Sequence, residues 1–232
     1  MCGIIGCISN TNYNLSKNTF IDINNMLLKR GPDNQSTTNY NNEKNSFNFG
    51  HTRLSIQDLN KRANQPMFSK DKNLIILFNG EIYNHLELRN NYFENYSWSS
   101  SSDTETLLVM FERFGIDKTL NLIDGMFAIS LYNKSTNELV LIRDRAGEKP
   151  LYFGLSDSFF IFSSDTKTFL KFKNFDKSIC NEAVEQYLKL NYIKSPLCIY
   201  KNAFKLPPGS YIKINLNKYN FCSNINFSQF IT

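Results

Sequence analysis

Cys2-Gly3-Ile4-Ile5-Gly6-Cys7-Ile8-Ser9 opens the chain directly after Met1, and its reading decides the fold. A short apolar run with two glycines, followed by polar Asn10-Thr11-Asn12, reads as a buried strand that begins almost at the chain end. That placement gives Cys2 a special chemistry. If Met1 is removed, Cys2 carries both a thiol and a free α-amine. An α-amine has a pKa of roughly 8, so part of it is neutral near pH 7 and can act as the base for its own nucleophile. Gly3 lets other groups approach closely. Taken alone, the same residue is also what an ordinary second-position Cys would look like.

Outward from this strand, Leu15 to Lys29 carries Phe20, Ile23, Met26 and Leu27 at helical spacing, and Arg30-Gly31-Pro32-Asp33 stops that helix. The polar stretch Asn34 to Ser46 reads as an exposed loop. Phe47 to Leu54 alternates as a strand, and Leu74 to Phe78 is an apolar strand ending in an Asn79-Gly80 turn. Helices are expected over Asn84 to Phe93 and over Thr104 to Phe114, the latter with Asp103 as N-cap. Phe127–Tyr132 with Glu138–Ile142, and Leu151–Gly154 with Phe159–Ser163, read as hairpins. A last helix covers Asn181 to Leu190, and a strand lies near Tyr211 to Ile214. Strands in runs with helices between them favour an α+β fold over a doubly wound one.

Composition narrows the function classes. The 232 residues are 41% hydrophobic and 20% charged, an ordinary globular mix. The net charge of +5 comes from scattered Lys residues rather than a basic stripe, which argues against nucleic acid as a partner. No apolar run approaches the roughly 18 residues of a membrane span, and the N-terminus lacks the basic and apolar regions of a signal peptide. Five Cys, an odd and sparse number, do not make a disulfide scaffold, so a reducing, cytoplasmic setting is expected. Two His (His51 and His85) and the Cys spacing give no metal site, and no Gly-rich phosphate loop is present.

Four further residues can carry chemistry. The Asn79 amide and the Gly80 N–H are suitable donors for an oxyanion, although Asn-Gly is also a common turn. Arg53 can grip a small carboxylate in a two-point pair or sit in a surface salt bridge. Asp103 can cap its helix or receive a substrate ammonium. Arg143, Asp144 and Arg145, beside a Gly and a Pro between strands, read as a buried ion network.

These segments together resemble the class II glutamine amidotransferases, specifically the N-terminal glutaminase half of the glutamine-hydrolysing asparagine synthetases. The matching stretches are Met1-Cys2-Gly3-Ile4-Ile5-Gly6, Arg30-Gly31-Pro32-Asp33, Gly50-His51-Thr52-Arg53-Leu54-Ser55-Ile56 and Ala63-Asn64-Gln65-Pro66-Met67. They continue in family order through Asn79-Gly80-Glu81-Ile82-Tyr83-Asn84, Ser102-Asp103-Thr104-Glu105, Asp124-Gly125-Met126-Phe127-Ala128 and Arg143 to Tyr152, and Lys205-Leu206-Pro207-Pro208-Gly209 resembles the exit from the domain. The resemblance covers residues 2–214 and leaves 215–232 as a tail or linker.

The resemblance implies an N-terminal nucleophile hydrolase fold, a four-layer α/β/β/α sandwich of two antiparallel sheets. It implies that Cys2 attacks the side-chain amide of L-glutamine, that Asn79 and Gly80 form the oxyanion hole, and that Arg53 holds the substrate α-carboxylate. Asp103 is expected to hold the α-ammonium, with Glu81, Leu54 and Ile56 lining the same pocket. The expected partner is a synthetase domain or subunit that takes the ammonia, and a homodimer is compatible with the resemblance. No cofactor is expected in this sequence. ATP and Mg2+ belong to a synthetase domain that the sequence stops short of. Amidation of another carboxylate or sugar, or an idle glutamine-binding or remnant module, are the alternatives. One departure stands out: Ser36-Thr37 occurs where a Gly usually follows the Arg-Gly-Pro-Asp motif.

Overall fold

The opening apolar run is strand β1 (Gly3–Asn10), antiparallel to β3 (Asn45–Arg53) on one side and β9 (Phe159–Ser163) on the other. The computed structural model describes residues 1–218 and 228–229. In the first sheet, β1 sits inside the order β10 (Ala203–Lys205), β8 (Tyr152–Ser156), β9, β1, β3, β2 (Asn34–Asn41). The second sheet has the order β12 (Ser228–Gln229), β11 (Ser210–Asn215), β7 (Glu138–Arg143), β6 (Gly125–Asn133), β5 (Leu74–Ile82), β4 (Met67–Phe68). Every pairing in both sheets is antiparallel.

Period-two alternation divides the apolar residues among three cores. Ile4 and Ile8 of β1, Phe47 and Phe49 of β3, and Ile75 and Leu77 of β5 fill the space between the sheets. Tyr132 joins them, its ring 4.5 Å from that of Phe47. The intervening residues Ile5 and Cys7 face outward, against Phe20, Ile23 and Leu27 of the segment containing α1 (Lys17–Asn25). On the far side, Ile76 and Phe78 of β5 pack against Leu107, Met110 and Phe111 of α3 (Asp103–Leu122) and Leu88 of α2 (His85–Tyr92). The result is the expected sandwich of helix, sheet, sheet and helix layers. The last helix, α4 (Asn181–Leu190), has the bounds its sequence suggests. No helix among the described residues is long and apolar enough to cross a membrane.

Four local expectations change. Asn34–Asn41 is not a loop but edge strand β2, paired residue for residue with β3 from Asn34–Arg53 to Asn41–Ser46. Apart from Tyr40, which packs on Phe47 and Tyr132, its side chains are polar and partly or fully exposed, so the ladder does most of the holding. Asn79-Gly80 is not a turn. Strand β5 runs through both to Ile82, with Asn79 opposite Ala128 and Gly80 opposite Phe127. Helix α1 ends at Asn25 because i→i+3 bonds take over, Met26 N–H donating to Ile23 at 3.1 Å and Leu27 N–H to Asn24 at 3.0 Å. Ser102, not Asp103, caps α3: its hydroxyl accepts from Thr104 N–H at 3.1 Å. The same helix is broken at Gly115, whose φ of 72° needs a glycine. Asn215 ends β11, and the tail reading for residues beyond 218 falls mostly outside the described residues; Ser228–Gln229 pair with Tyr211 and Ser210.

The expected ion network around Arg143 proves to be built on backbone. Its guanidinium donates to the carbonyls of Lys149, Leu206 and Gly147, and Asp144 accepts from the N–H groups of Phe127, Glu148 and Lys149. The inter-sheet core sets the stability of the whole. Phe49→Ala should cost about 3–5 kcal/mol in denaturant unfolding, whereas Leu188→Ala, at a residue 75% exposed, should stay within about 0.5 kcal/mol.

Candidate active site

Strand parity brings the candidate residues together. Cys2 continues the face of Ile4 and Ile8, Arg53 continues that of Phe47 and Phe49, and Asn79 continues that of Ile75 and Leu77. All three therefore leave the inter-sheet core at the same end of the sandwich. His51 joins the sheets just beneath them. Its Nε2 lies 3.2 Å from the Phe78 carbonyl, and full burial lowers its pKa to about 4, so the ring is neutral and Nε2–H donates.

Above this bridge lies a cavity of about 260 Å³. Cys2, Arg53, Asn79, Gly80 and Asp103 line it, together with Leu54, Ile56 and Glu81, so all eight residues singled out in the sequence meet at one place. The Cys2 Sγ accepts from Leu54 N–H at 3.4 Å and lies 3.7 Å from the Leu54 carbonyl. Burial pushes the thiol pKa up, while the Leu54 N–H, the chain-terminal ammonium and Arg53 pull it down. The Arg-Gly-Pro-Asp motif braces Cys2 and the end of β3 from outside the cavity. Arg30 Nε donates to the Cys2 carbonyl at 3.1 Å, and Asp33 accepts from Ser55 N–H at 2.7 Å. A Cβ on Gly31 would lie 2.3 Å from the Thr52 carbonyl, so only glycine lets this turn approach β3.

Asn79 is 1% exposed, and its Nδ2 has no hydrogen-bond partner among the described residues. A buried amide donor left open at a cavity wall is a reserved group, because an unmade hydrogen bond there costs about 1–3 kcal/mol. Gly80 beside it has no room for a side chain: a Cβ would lie 2.1 Å from the Met126 carbonyl. Asp103 Oδ2 accepts from Ile82 N–H at 3.0 Å, tying α3 to the end of β5. Its carboxyl is pushed up to about 6, mainly by burial, with the Glu81 charge adding and the bonds from Ile82, Thr104 and Ser102 opposing. Glu81 accepts from Gln57 Nε2 at 3.3 Å.

Arg53 does more than the sequence suggested. Its guanidinium donates to the carbonyls of Asn60 (3.1 Å), Gln57 (3.0 Å) and Asp58, and to Asn64 Oδ1 (2.8 Å). It thereby organises the 57–64 loop over the cavity. Three contributors escaped the sequence reading. Gln65 accepts from Phe78 N–H at 2.6 Å and donates to Thr104 Oγ1 at 3.3 Å, bracing the wall; Met126 and Lys149 line the cavity. Gln65, Met126 and Lys149 were legible only as members of the motifs, with no role of their own. Ser36, the departure from the family pattern, donates to the Gln65 carbonyl and so ties β2 to this wall.

Two stacked antiparallel sheets between helix layers, with a cysteine just before a central strand, are the N-terminal nucleophile hydrolase fold. The solved structures agree: glutamine phosphoribosylpyrophosphate amidotransferase from Bacillus subtilis superposes with a TM-score of 0.67 at 17% identity, covering 99% of this chain and 49% of that one. The model of the glutamine amidotransferase domain matches residues 1–224, and the chain belongs to that family. A putative glutamine-hydrolysing asparagine synthetase of Methanocaldococcus jannaschii is 36% identical over 94% of this chain and 45% of its own length. Asparagine synthetase 1 of B. subtilis is 32% identical over 92% of this chain and 33% of its own. The chain thus spans half or less of the relatives it matches.

Asp103 gives the first test of the site. A carboxyl whose folded pKa lies above its unfolded value of 3.8 adds stability below that value, and the contribution is lost as pH rises through about 6. The rise corresponds to about 3 kcal/mol. Asp103→Asn should therefore be more stable than the parent at pH 8, by up to that amount, and lose the advantage near pH 4. Denaturant midpoints at the two pH values measure it.

Proposed function

We propose that the domain hydrolyses L-glutamine to glutamate and ammonia, with Cys2 as nucleophile once Met1 is removed. The observation that carries this reading is the open, buried Asn79 amide in the cavity that Cys2 lines. The thiol is held up by burial, so it needs a base, and the α-amine on the same residue is the nearest one. It takes the thiol proton as sulfur attacks the amide carbon. The Asn79 amide and Gly80 N–H receive the oxyanion. The carbon–nitrogen bond then breaks, and the amine returns the proton to the leaving ammonia. Water attacks the resulting thioester, releasing glutamate and regenerating the thiol.

Asp103 and Glu81 are suited to the substrate ammonium. Arg53 is suited to its carboxylate, at Nε and the faces of a guanidinium already fixed by the loop. The ammonia passes to a synthetase part that makes asparagine, as the names of the relatives suggest. ATP and Mg2+ act in that part, and the hydrolysis here needs no cofactor. We place the reaction in the cytoplasm, where a thiol at position 2 stays reduced.

Cys2→Ala should abolish ammonia release while leaving the unfolding midpoint near that of the parent. Asn79→Ala should lower kcat by about 100- to 1000-fold, the cost of one oxyanion donor, with a smaller change in KM. The kcat/KM for glutamine should fall as pH drops below about 6, where Asp103 takes up a proton. Ammonia release from Cys2→Ala equal to the parent's would refute the mechanism.

A further inference from the structure

Lys149 has only 9% of its surface exposed and lines the same cavity. Its backbone is held at both ends. The N–H donates to Asp144 Oδ2 at 3.0 Å, and the carbonyl accepts from Arg143 Nε at 2.9 Å. The same Asp144 oxygen accepts from Phe127 N–H at 3.2 Å, and Phe127 lies opposite Gly80 in the β5–β6 ladder. Lys149 is thereby fixed beside the Gly80 and Met126 wall. Its ammonium, in contrast, has no hydrogen-bond, ion-pair or ring partner among the described residues. An ammonium without a partner in a residue that lines the cavity is available to an anion that enters it.

The charges around the cavity suggest which anion. Besides the α-amine, which serves as the base, Arg53 and Lys149 are the cations and Glu81 and Asp103 the acids. The glutamine carboxylate takes Arg53 and its ammonium takes the two acids, which leaves Lys149 over. Hydrolysis adds a single negative charge, first on the amide oxygen and then on the new side-chain carboxylate. We propose that Lys149 is the group that meets this charge, and that it makes the site hold the acidic product more tightly than the neutral-side-chain substrate. The inference rests on the glutaminase reading and extends it to product recognition. Lys149 becomes a second source of charge stabilisation beside the Asn79 and Gly80 donors, and a cause of inhibition by glutamate.

Calorimetric binding of L-glutamate and L-glutamine in a Cys2→Ala background, where neither ligand turns over, tests it. Lys149→Met, similar in length but neutral, should weaken glutamate binding about tenfold, the size of one charge-assisted hydrogen bond. Glutamine binding should change less than about twofold, and Lys149→Arg should restore most of the glutamate affinity. Lys149→Gln should behave as the Met variant does, which separates lost charge from altered packing. Glutamine binding with glutamate affinity unchanged, or with both ligands weakened equally, would overturn the inference and leave the glutaminase reading standing. A Cys2→Ala protein that binds neither ligand would overturn both.

Discussion

Strand β1 is clamped between β3 and β9, and its residues from Gly3 to Ser9 are buried. That clamp is the constraint on which the rest of the site depends. The residue preceding a strand locked on both edges has little freedom, so Cys2 is fixed by a ladder it does not itself extend. Gly3 tightens the constraint, since a Cβ there would lie 2.5 Å from Thr52 Oγ1. The thiol then faces Leu54, the residue just past the end of β3, and the backbone N–H of that residue reaches the sulfur. A residue at a chain end would ordinarily fray. Here the sheet and the Arg30 bond to the Cys2 carbonyl prevent it.

Backbone carbonyls and amides, more than ion pairs, hold the cavity walls. Arg53 gathers three carbonyls of the 57–64 loop, and Asp58 in that loop accepts from Ser101 N–H at 2.8 Å, joining it to the turn before α3. Arg89 secures the turn from behind through the carbonyls of Ser100 and Ser102. Hydrogen bonds of a buried guanidinium to carbonyls fix geometry without neutralising charge. The site therefore keeps its net electrostatic character for a ligand. That arrangement suits a zwitterion whose reaction creates a new anion.

How much of this was legible follows from what each residue depends on. The strand at Cys2–Ser9 and the helix at Asn181–Leu190 were readable because their apolar patterns are local. The strand at Asn34–Asn41 was not, because Asn-Gln-Ser-Thr-Thr-Asn-Tyr-Asn has no apolar period and is a strand only by pairing with β3. Asn79-Gly80 carries a strong local turn signal that the long ladder to β6 overrides. The candidate residues were legible as chemistry and motif, and strand parity shows why they converge. The loop-holding role of Arg53 and the unpaired state of Lys149 depend on contacts distant in sequence, so no local pattern announces them.

The central claim is that Cys2 becomes the first residue and attacks glutamine in a formed pocket. Intact mass of the purified protein, before and after a diazo-ketone analogue of glutamine, tests it most directly. The expected result is a mass lacking Met1 and a single covalent adduct that peptide mapping assigns to Cys2. A folded protein that retains Met1, or one that takes up no adduct, would contradict it.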